Sequence, residues 1–337
     1  MKSYLRFTAA VSVLAALPLT TSAQAPKDYI VAADQFSSTL SRILNNNNAV
    51  TTFGLPFLGN IPVPQYMVNA PQAFLFYYSD INNSAIVGCF GNDLIPVLAF
   101  GAGLGVSHMC IEPTSTMAWA VNEISTTATV FDPRNGIPLG TVPMPIDLVE
   151  PDIGGFPQWC DMTNNGDFTY VCIAGLPGNQ DAVVQFSNNS FTEVNRRLIG
   201  KSPRVGISKQ KLFLPCRDSD AFMVLNKNTL AVLDEFLLFG ARGVSFASNN
   251  SIFYTTDQFG GDLYAVDTST FAIVAGPTPS PEATPTNLVF NDKFNRLFVS
   301  HPSTNKVTKW KATLAAPAPV HLNTLTVGLA PLGLTRL

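Results

Sequence analysis

Short apolar runs recur along almost the whole chain, each closed by Asn, Asp, Gly or Pro. Runs of this length bounded by turn residues read as strands. They also fall into a repeating phrase. It opens on Pro or a small residue, runs through a short apolar strand and turns at a polar residue. An aromatic-rich strand follows, then a polar loop, a third strand ending in Asp or Asn, and a last short strand. One copy occupies 202–207, 211–214, 221–226 and 231–233. The next occupies 241–244, 252–255, 261–267 and 272–274, and a third 286–289, 296–299, 306–310 and 324–327. Earlier copies open near Gln158, His108 and Gln65. A period of about 45 residues with four short strands per unit is the spacing of propeller blades.

The two ends complete the pattern. Pro331-Leu332-Gly333-Leu334-Thr335 restarts the phrase, while Tyr29-Ile30-Val31-Ala32 matches its second strand. If the C-terminal strand becomes the innermost strand of the first blade, the ring closes without a free edge. Six internal copies and this composite blade predict an all-β, seven-bladed β-propeller, with six or eight blades as the alternatives.

Composition narrows the picture. Among 337 residues 46% are hydrophobic and 13% charged, with 24 Phe, 25 Pro and 23 Gly. A disordered chain or a coiled coil is excluded, because the first lacks apolar residues and the second is rich in charged ones. A net charge of −3 gives no basic field for nucleic acid. Lys2 and Arg6 precede an apolar stretch over 7–19 and the small residues Thr21-Ser22-Ala23. That arrangement predicts a secretory signal peptide over 1–23, too short to span a bilayer, leaving a single domain over 24–337. Loss of Lys2 and Arg6 takes the net charge from −3 to −5. No other stretch is long enough to span a membrane. Three N-x-S sequons, at Asn82, Asn188 and Asn249, lie in polar turns where a glycan would face water. In an oxidising compartment Cys160 and Cys172, flanking the turn signal Asn164-Asn165-Gly166-Asp167, are the expected disulfide. Cys89 with Cys110 is a second candidate, and Cys216 is left as a buried free thiol.

The phrase resembles the YVTN repeat and the wider group of lactonase-like, gluconolactonase-type seven-bladed propellers. Trp119-Ala120-Val121-Asn122 before Ala128-Thr129-Val130-Phe131-Asp132 carries the likeness, as does Tyr264-Ala265-Val266-Asp267-Thr268. Propellers host many unrelated activities, so the resemblance implies a fold more than a function. Gluconolactonase-like propellers hold calcium or zinc with carboxylates and amides, a role that Asn122, Glu123 and Asp257 would fill here. Secreted fungal propellers of this general kind include natural-product enzymes, among them hetero-Diels–Alderases, which need no cofactor.

Known catalytic signatures are missing: no G-x-S-x-G, H-E-x-x-H, C-x-x-C or P-loop occurs. Gly101-Ala102-Gly103-Leu104-Gly105 reads as an interblade turn. Propeller geometry gives the sharper expectation. Loops leading into each innermost strand and loops leaving each second strand meet around one mouth of the central channel. The first set contributes His108, Gln158, Arg204, Arg242 and Asn287, and the second Asp80, Asn122, Glu123, Arg217, Asp257 and His301. Among them His108 and His301 are candidate general acids or bases, and Arg204 and Arg242 candidate catalytic groups that bind or polarise an oxygen. Gln158, Asn122, Arg217, Asp257 and Asn287 are candidate substrate-binding residues. The expected partner is a small, mostly apolar organic molecule in the channel, handled by a cyclase-type enzyme without cofactor. A metal-dependent lactonase is one alternative, and a non-catalytic propeller binding a protein, glycan or lipid is the other.

Overall fold

A computed structural model describes residues 28–337 apart from Asn92 and Ser248. The expected signal peptide lies outside the described residues. Strands form wherever the apolar runs predicted them, and they assort into seven four-stranded antiparallel sheets. Blade 1 holds Tyr29–Asp34, Thr39–Leu44 and Val50–Gly54, with Pro331–Arg336 innermost. Blade 2 holds Pro64–Ala70, Leu75–Asp80, Ala85–Phe90 and Pro96–Gly101. Blade 3 holds Val106–Ile111, Ala118–Asn122, Thr127–Asp132 and Ile137–Pro143. Blade 4 holds Phe156–Met162, Phe168–Ala174, Asp181–Ser187 and Thr192–Ile199. Blade 5 holds Gly206–Ser208, Lys211–Cys216, Ala221–Asn226 and Val232–Leu237. Blade 6 holds Ala241–Phe246, Ile252–Asp257, Asp262–Asp267 and Ile273–Pro279. Blade 7 holds Leu288–Asn291, Arg296–His301, Lys306–Lys311 and Val320–Thr326.

The ring closes as its ends predict. Ile30 faces Arg336, Val31 faces Thr335 and Ala32 faces Leu334 in antiparallel register. Asp28 fastens the seam from below: Arg336 Nε and Lys293 Nζ each lie 3.2 Å from its carboxylate, and Asn291 donates to it at 3.0 Å.

Packing explains why the second strands read as unbroken apolar runs. Each lies in the middle of its blade with a neighbouring blade on either face, so both faces are buried, as in Leu75–Asp80 and Ile252–Asp257. Outer strands such as Thr192–Ile199 face water and are mostly polar. The core is accordingly divided into seven apolar layers, one between each pair of adjacent blades. Much of the phenylalanine content sits there. Between blades 5 and 6, Phe253 lies 5.0 Å from Phe213 and stacks at 5.0 Å on Phe222.

Two sequence expectations fail here. All five cysteines are free thiols. Cys160 faces Val171 and Cys172 faces Trp159, a register one residue away from pairing the cysteines. Successive side chains of a strand point to opposite faces, so Cys160 enters the layer between blades 3 and 4, and Cys172 the layer between blades 4 and 5. Cys89 and Cys110 lie in different layers as well. Asn188 is the other correction, because it is buried and has both ends of its amide engaged. Its Oδ1 accepts from Thr169 at 2.8 Å and its Nδ2 donates to the Gly166 carbonyl at 2.8 Å, so the amide is held inside its blade and away from the water a glycan would occupy. Asn82 and Asn249 are exposed.

Deleting 332–337 removes the innermost strand of blade 1 and bares the edge of Tyr29–Asp34. The truncated protein should lose its cooperative thermal transition and aggregate. An unchanged melting temperature would contradict ring closure as the source of stability.

Candidate functional site

Six of the seven innermost strands break their register where they begin. Pairing slips between Pro64 and Met67, Val106 and Met109, Pro157 and Trp159, and Ala241 and Val244. In blade 5 an isolated Pro203–Cys216 bridge precedes the Gly206–Phe213 pair. In blade 1 the slip falls opposite Leu332 and Gly333. Such bulges re-aim side chains and are common beside active sites. Hydroxyls on the second strands take the N–H groups that the bulges free. Ser79 accepts from Tyr66 at 3.2 Å, Thr256 from Gly243 at 3.1 Å and Ser300 from Asn287 at 3.2 Å.

The bulged residues are Tyr66, His108, Gln158, Arg204, Arg242 and Gly333, with Asn287 at the matching place in blade 7. At the channel axis the backbones come very close: a Cβ on Gly333 would lie 2.6 Å from the Gln65 carbonyl oxygen. Arg204 crosses this space. It donates from Nη2 to the Tyr66 hydroxyl at 3.1 Å in blade 2, and from Nη1 to the Thr286 carbonyl at 3.3 Å at the start of blade 7. Its guanidinium lies 4.2 Å from the centre of Trp159, whose indole donates to the Val205 carbonyl at 3.0 Å. His108 stacks on Trp159 at 3.5 Å, and Tyr66 meets both rings edge-on. Arg242 donates to the Ser202 carbonyl at 3.4 Å. Arg217 Nη1 donates to Gln258 Oε1 at 3.4 Å, and Gln258 in turn donates to the Thr286 hydroxyl at 3.4 Å.

The electrostatics of this cluster are unusual. Arg204 and Arg242 are 2% and 7% exposed, yet neither has a carboxylate within salt-bridge distance among the described residues. A buried charge is costly unless it is paired. Burial and the charge of Arg204 push the Arg242 guanidinium down to about 9, and burial also lowers Arg204. Three buried polar atoms at the bulges of consecutive blades have no partner within the protein: Gln158 Oε1, Arg204 Nε and Arg242 Nε. The two Nε–H groups lack an acceptor, and the Gln158 oxygen lacks a donor.

Burial shifts the titratable groups nearby toward their neutral forms. Burial, with Arg204 beside it, drives His108 well below the usual imidazole range. Its Nδ1 accepts from the Cys160 N–H at 3.4 Å, so the ring's proton sits on Nε2. Burial raises Glu123, while Ser107 and Arg242 oppose the rise. Asp161 is pushed up to about 7 by burial, although its two oxygens accept from the Met162 and Ile207 N–H groups at 2.8 Å each.

The expected residues thus separate. His108, Gln158, Arg204 and Arg242 occupy bulges, and Arg217 joins the network through Gln258. Asn287 stands at the blade 7 position, its Oδ1 accepting from the Leu288 N–H at 3.0 Å. The others serve their own blades. Asp80 accepts from the N–H groups of Val63 and Asn83 at 3.1 and 3.3 Å. Asn122 donates to Thr127 and Thr129 at 3.0 and 3.1 Å, and Asp257 accepts from Phe259 and Gly260 at 2.9 and 2.7 Å. His301 is fully buried, with Nδ1 3.0 Å from the Ala283 carbonyl and Nε2 2.8 Å from the Thr308 hydroxyl. Burial lowers it to about 4. These four hold hairpin turns and strand pairs in place. Sequence reasoning passed over Tyr66, Trp159, Asp161, Gln258 and Thr286. Gln258 is one residue beyond Asp257, at the offset that Glu123 and Arg217 hold in their blades. Of the residues expected to hold a cation, Asn122 keeps its Oδ1 without a partner; among the described residues no three His, Cys, Asp or Glu side chains are placed to share a metal ion.

The sequence matches no protein-family model and no curated protein. In three dimensions it resembles solved propellers. The periplasmic gluconolactonase of Pseudomonas aeruginosa is 12% identical, with TM-score 0.72, over 92% of this chain and 99% of that one. A putative 6-phosphogluconolactonase from Bacteroides fragilis is 11% identical, with TM-score 0.72, over 94% and 99%. Hydrazine synthase from Kuenenia stuttgartiensis is 12% identical, with TM-score 0.66, over 83% and 92%. The fold is shared; at such identities the likeness says nothing of the site.

Asp161 gives a pH test. Its carboxyl is raised in the folded protein, so between about pH 4 and 7 the folded state keeps a proton that the unfolded chain has lost. Stability from this group therefore falls as pH rises through that window. Relative to Asp161→Asn, the wild type should lose on the order of 2 kcal/mol of unfolding free energy between pH 5 and 8. A constant difference measured by urea denaturation would refute the assignment.

Proposed function

We propose that the chain is an enzyme that binds a small organic molecule at this mouth of its channel and works on a carbonyl or carboxylate oxygen held by Arg204 and Arg242. The observation that carries this reading is the burial of both guanidiniums without a carboxylate partner. An oxygen of the ligand would accept from Arg204 Nε and Arg242 Nε, and a hydroxyl of the same ligand would donate to Gln158 Oε1.

Lactone opening is the chemistry this arrangement suits best. The two arginines would stabilise the oxyanion that forms when water adds to the carbonyl, a role that preorganised donors fill well in a dry site. Glu123, whose carboxyl burial raises, would as a carboxylate take the proton from the attacking water and return it to the ring oxygen as the lactone C–O bond breaks. His108, a neutral donor through Nε2, would hold an oxygen of the ligand by a hydrogen bond. The gluconolactonase among the structural neighbours supports this reading at the level of fold. The reading calls on no metal: Glu123 activates the water and the two arginines hold the oxyanion. The aromatic wall of Tyr66, His108 and Trp159 favours a second reading, cyclisation of a planar conjugated molecule by the same two arginines. The apolar stretch over 7–19 and the exposed sequons at Asn82 and Asn249 support export.

Hydrolysis of glucono-δ-lactone and of simple aliphatic lactones, followed by pH-stat, tests the proposal. Activity should survive EDTA and fall tenfold or more in Arg204→Met and Arg242→Met, the loss expected for a hydrogen bond from a charged group. The same variants should melt at the wild-type temperature or above it, because a buried unpaired charge has been removed. Full activity in both variants would overturn the reading, and inactivation by EDTA would restore the metal-dependent alternative.

A further inference from the structure

The face that holds the arginines carries exposed apolar side chains in three of its seven blades. In an antiparallel blade the start of the innermost strand and the end of the second lie at the same end, so the loops there share the site's face. In three blades both of these loops carry a large apolar residue at least half exposed: Leu329 and Phe36 in blade 1, Leu104 and Ile124 in blade 3, Phe239 and Phe259 in blade 6. The two loops are hydrogen-bonded to each other in every case. Phe36 N–H donates to the Leu329 carbonyl at 3.1 Å, Ile124 N–H to the Leu104 carbonyl at 3.1 Å, and Gln258 N–H to the Gly240 carbonyl at 2.9 Å. Rim and arginines are continuous. Arg217 lies 5.9 Å from the centre of the Phe259 ring, and Gln258, which receives Arg217, is the residue before Phe259. Exposed apolar groups gathered on one face mark a surface that something covers.

Resting on the arginine site proposed above, we infer that its ligand is an amphiphile, with a carboxylate or carbonyl head on Arg204 and Arg242 and an apolar body lying over the rim, first on Phe259 and Phe239. Charge complementarity selects this occupant. A wholly apolar partner would leave the buried guanidiniums unpaired, and a small polar acid or sugar acid would leave the rim in water. The same arrangement makes the rim residues the determinants of ligand length.

Calorimetric titration with acetate, octanoate and dodecanoate, each below its micelle concentration, tests the inference. Affinity should rise about two- to fourfold per added methylene, fourfold being the full burial of a CH2 group. The double variant Phe239→Ser/Phe259→Ser should flatten that dependence, and Arg242→Met should weaken all three acids. Equal affinities along the series in the wild type would overturn the amphiphile while leaving the arginine site standing. A steep chain-length dependence that Arg242→Met does not weaken would overturn the arginine site instead. Equal sedimentation of wild type and Arg242→Met with phosphatidylcholine vesicles, with no chain-length effect, would make the rim a lipid-binding surface and overturn the inference.

Discussion

The free edge of each innermost strand is the constraint on which the structure turns. A four-stranded blade ends at the channel with N–H and C=O groups that no further strand can pair. Buried backbone groups must find partners, and here neighbouring blades supply many of them through side chains. His108 of blade 3 accepts from Cys160 of blade 4, Asp161 of blade 4 from Ile207 of blade 5, and Ser245 of blade 6 from Phe290 of blade 7. Asn69 of blade 2 donates to the Arg336 carbonyl of blade 1 at 2.9 Å. These bonds link the blades at the axis, where the Gly333 backbone nearly touches blade 2.

That solution sets the chemistry available at the mouth. The bulges at the starts of the innermost strands re-aim Tyr66, His108, Gln158, Arg204 and Arg242 in blades 2 to 6. Tyr66, His108 and Trp159 form an aromatic wall on one side, while Arg204 and Arg242 face it from the other. Backbone carbonyls give the arginines hydrogen bonds but no opposite charge. Retaining two such charges makes physical sense if the proposed ligand completes the site.

Much of this was legible in the sequence because a propeller repeats. The strand phrase, its period and the half-phrases at the two ends carry the blade count and the closure. The bulge positions were legible for the same reason: His108, Gln158, Arg204 and Arg242 stand at matching offsets. Errors of a single residue account for most of the rest. Side chains alternate along a strand, so a slip of one residue moves a group from the channel to a hairpin, as with Asp257 and Gln258. The same parity separates Cys160 from Cys172, since the turn over 164–167 sets a register in which Cys160 meets Val171. Burial was not legible at all. His301 and Asn188 read as loop residues, yet their polar atoms are consumed inside their own blades.

The most direct measurement is a crystal structure with 4-bromobenzoate, whose bromine scatters anomalously and whose carboxylate mimics the proposed ligand group. The account predicts the strongest bromine peak at the channel mouth, with the carboxylate within hydrogen-bond distance of Arg204 or Arg242. A strongest peak elsewhere, with both guanidiniums left without an anion, would contradict it.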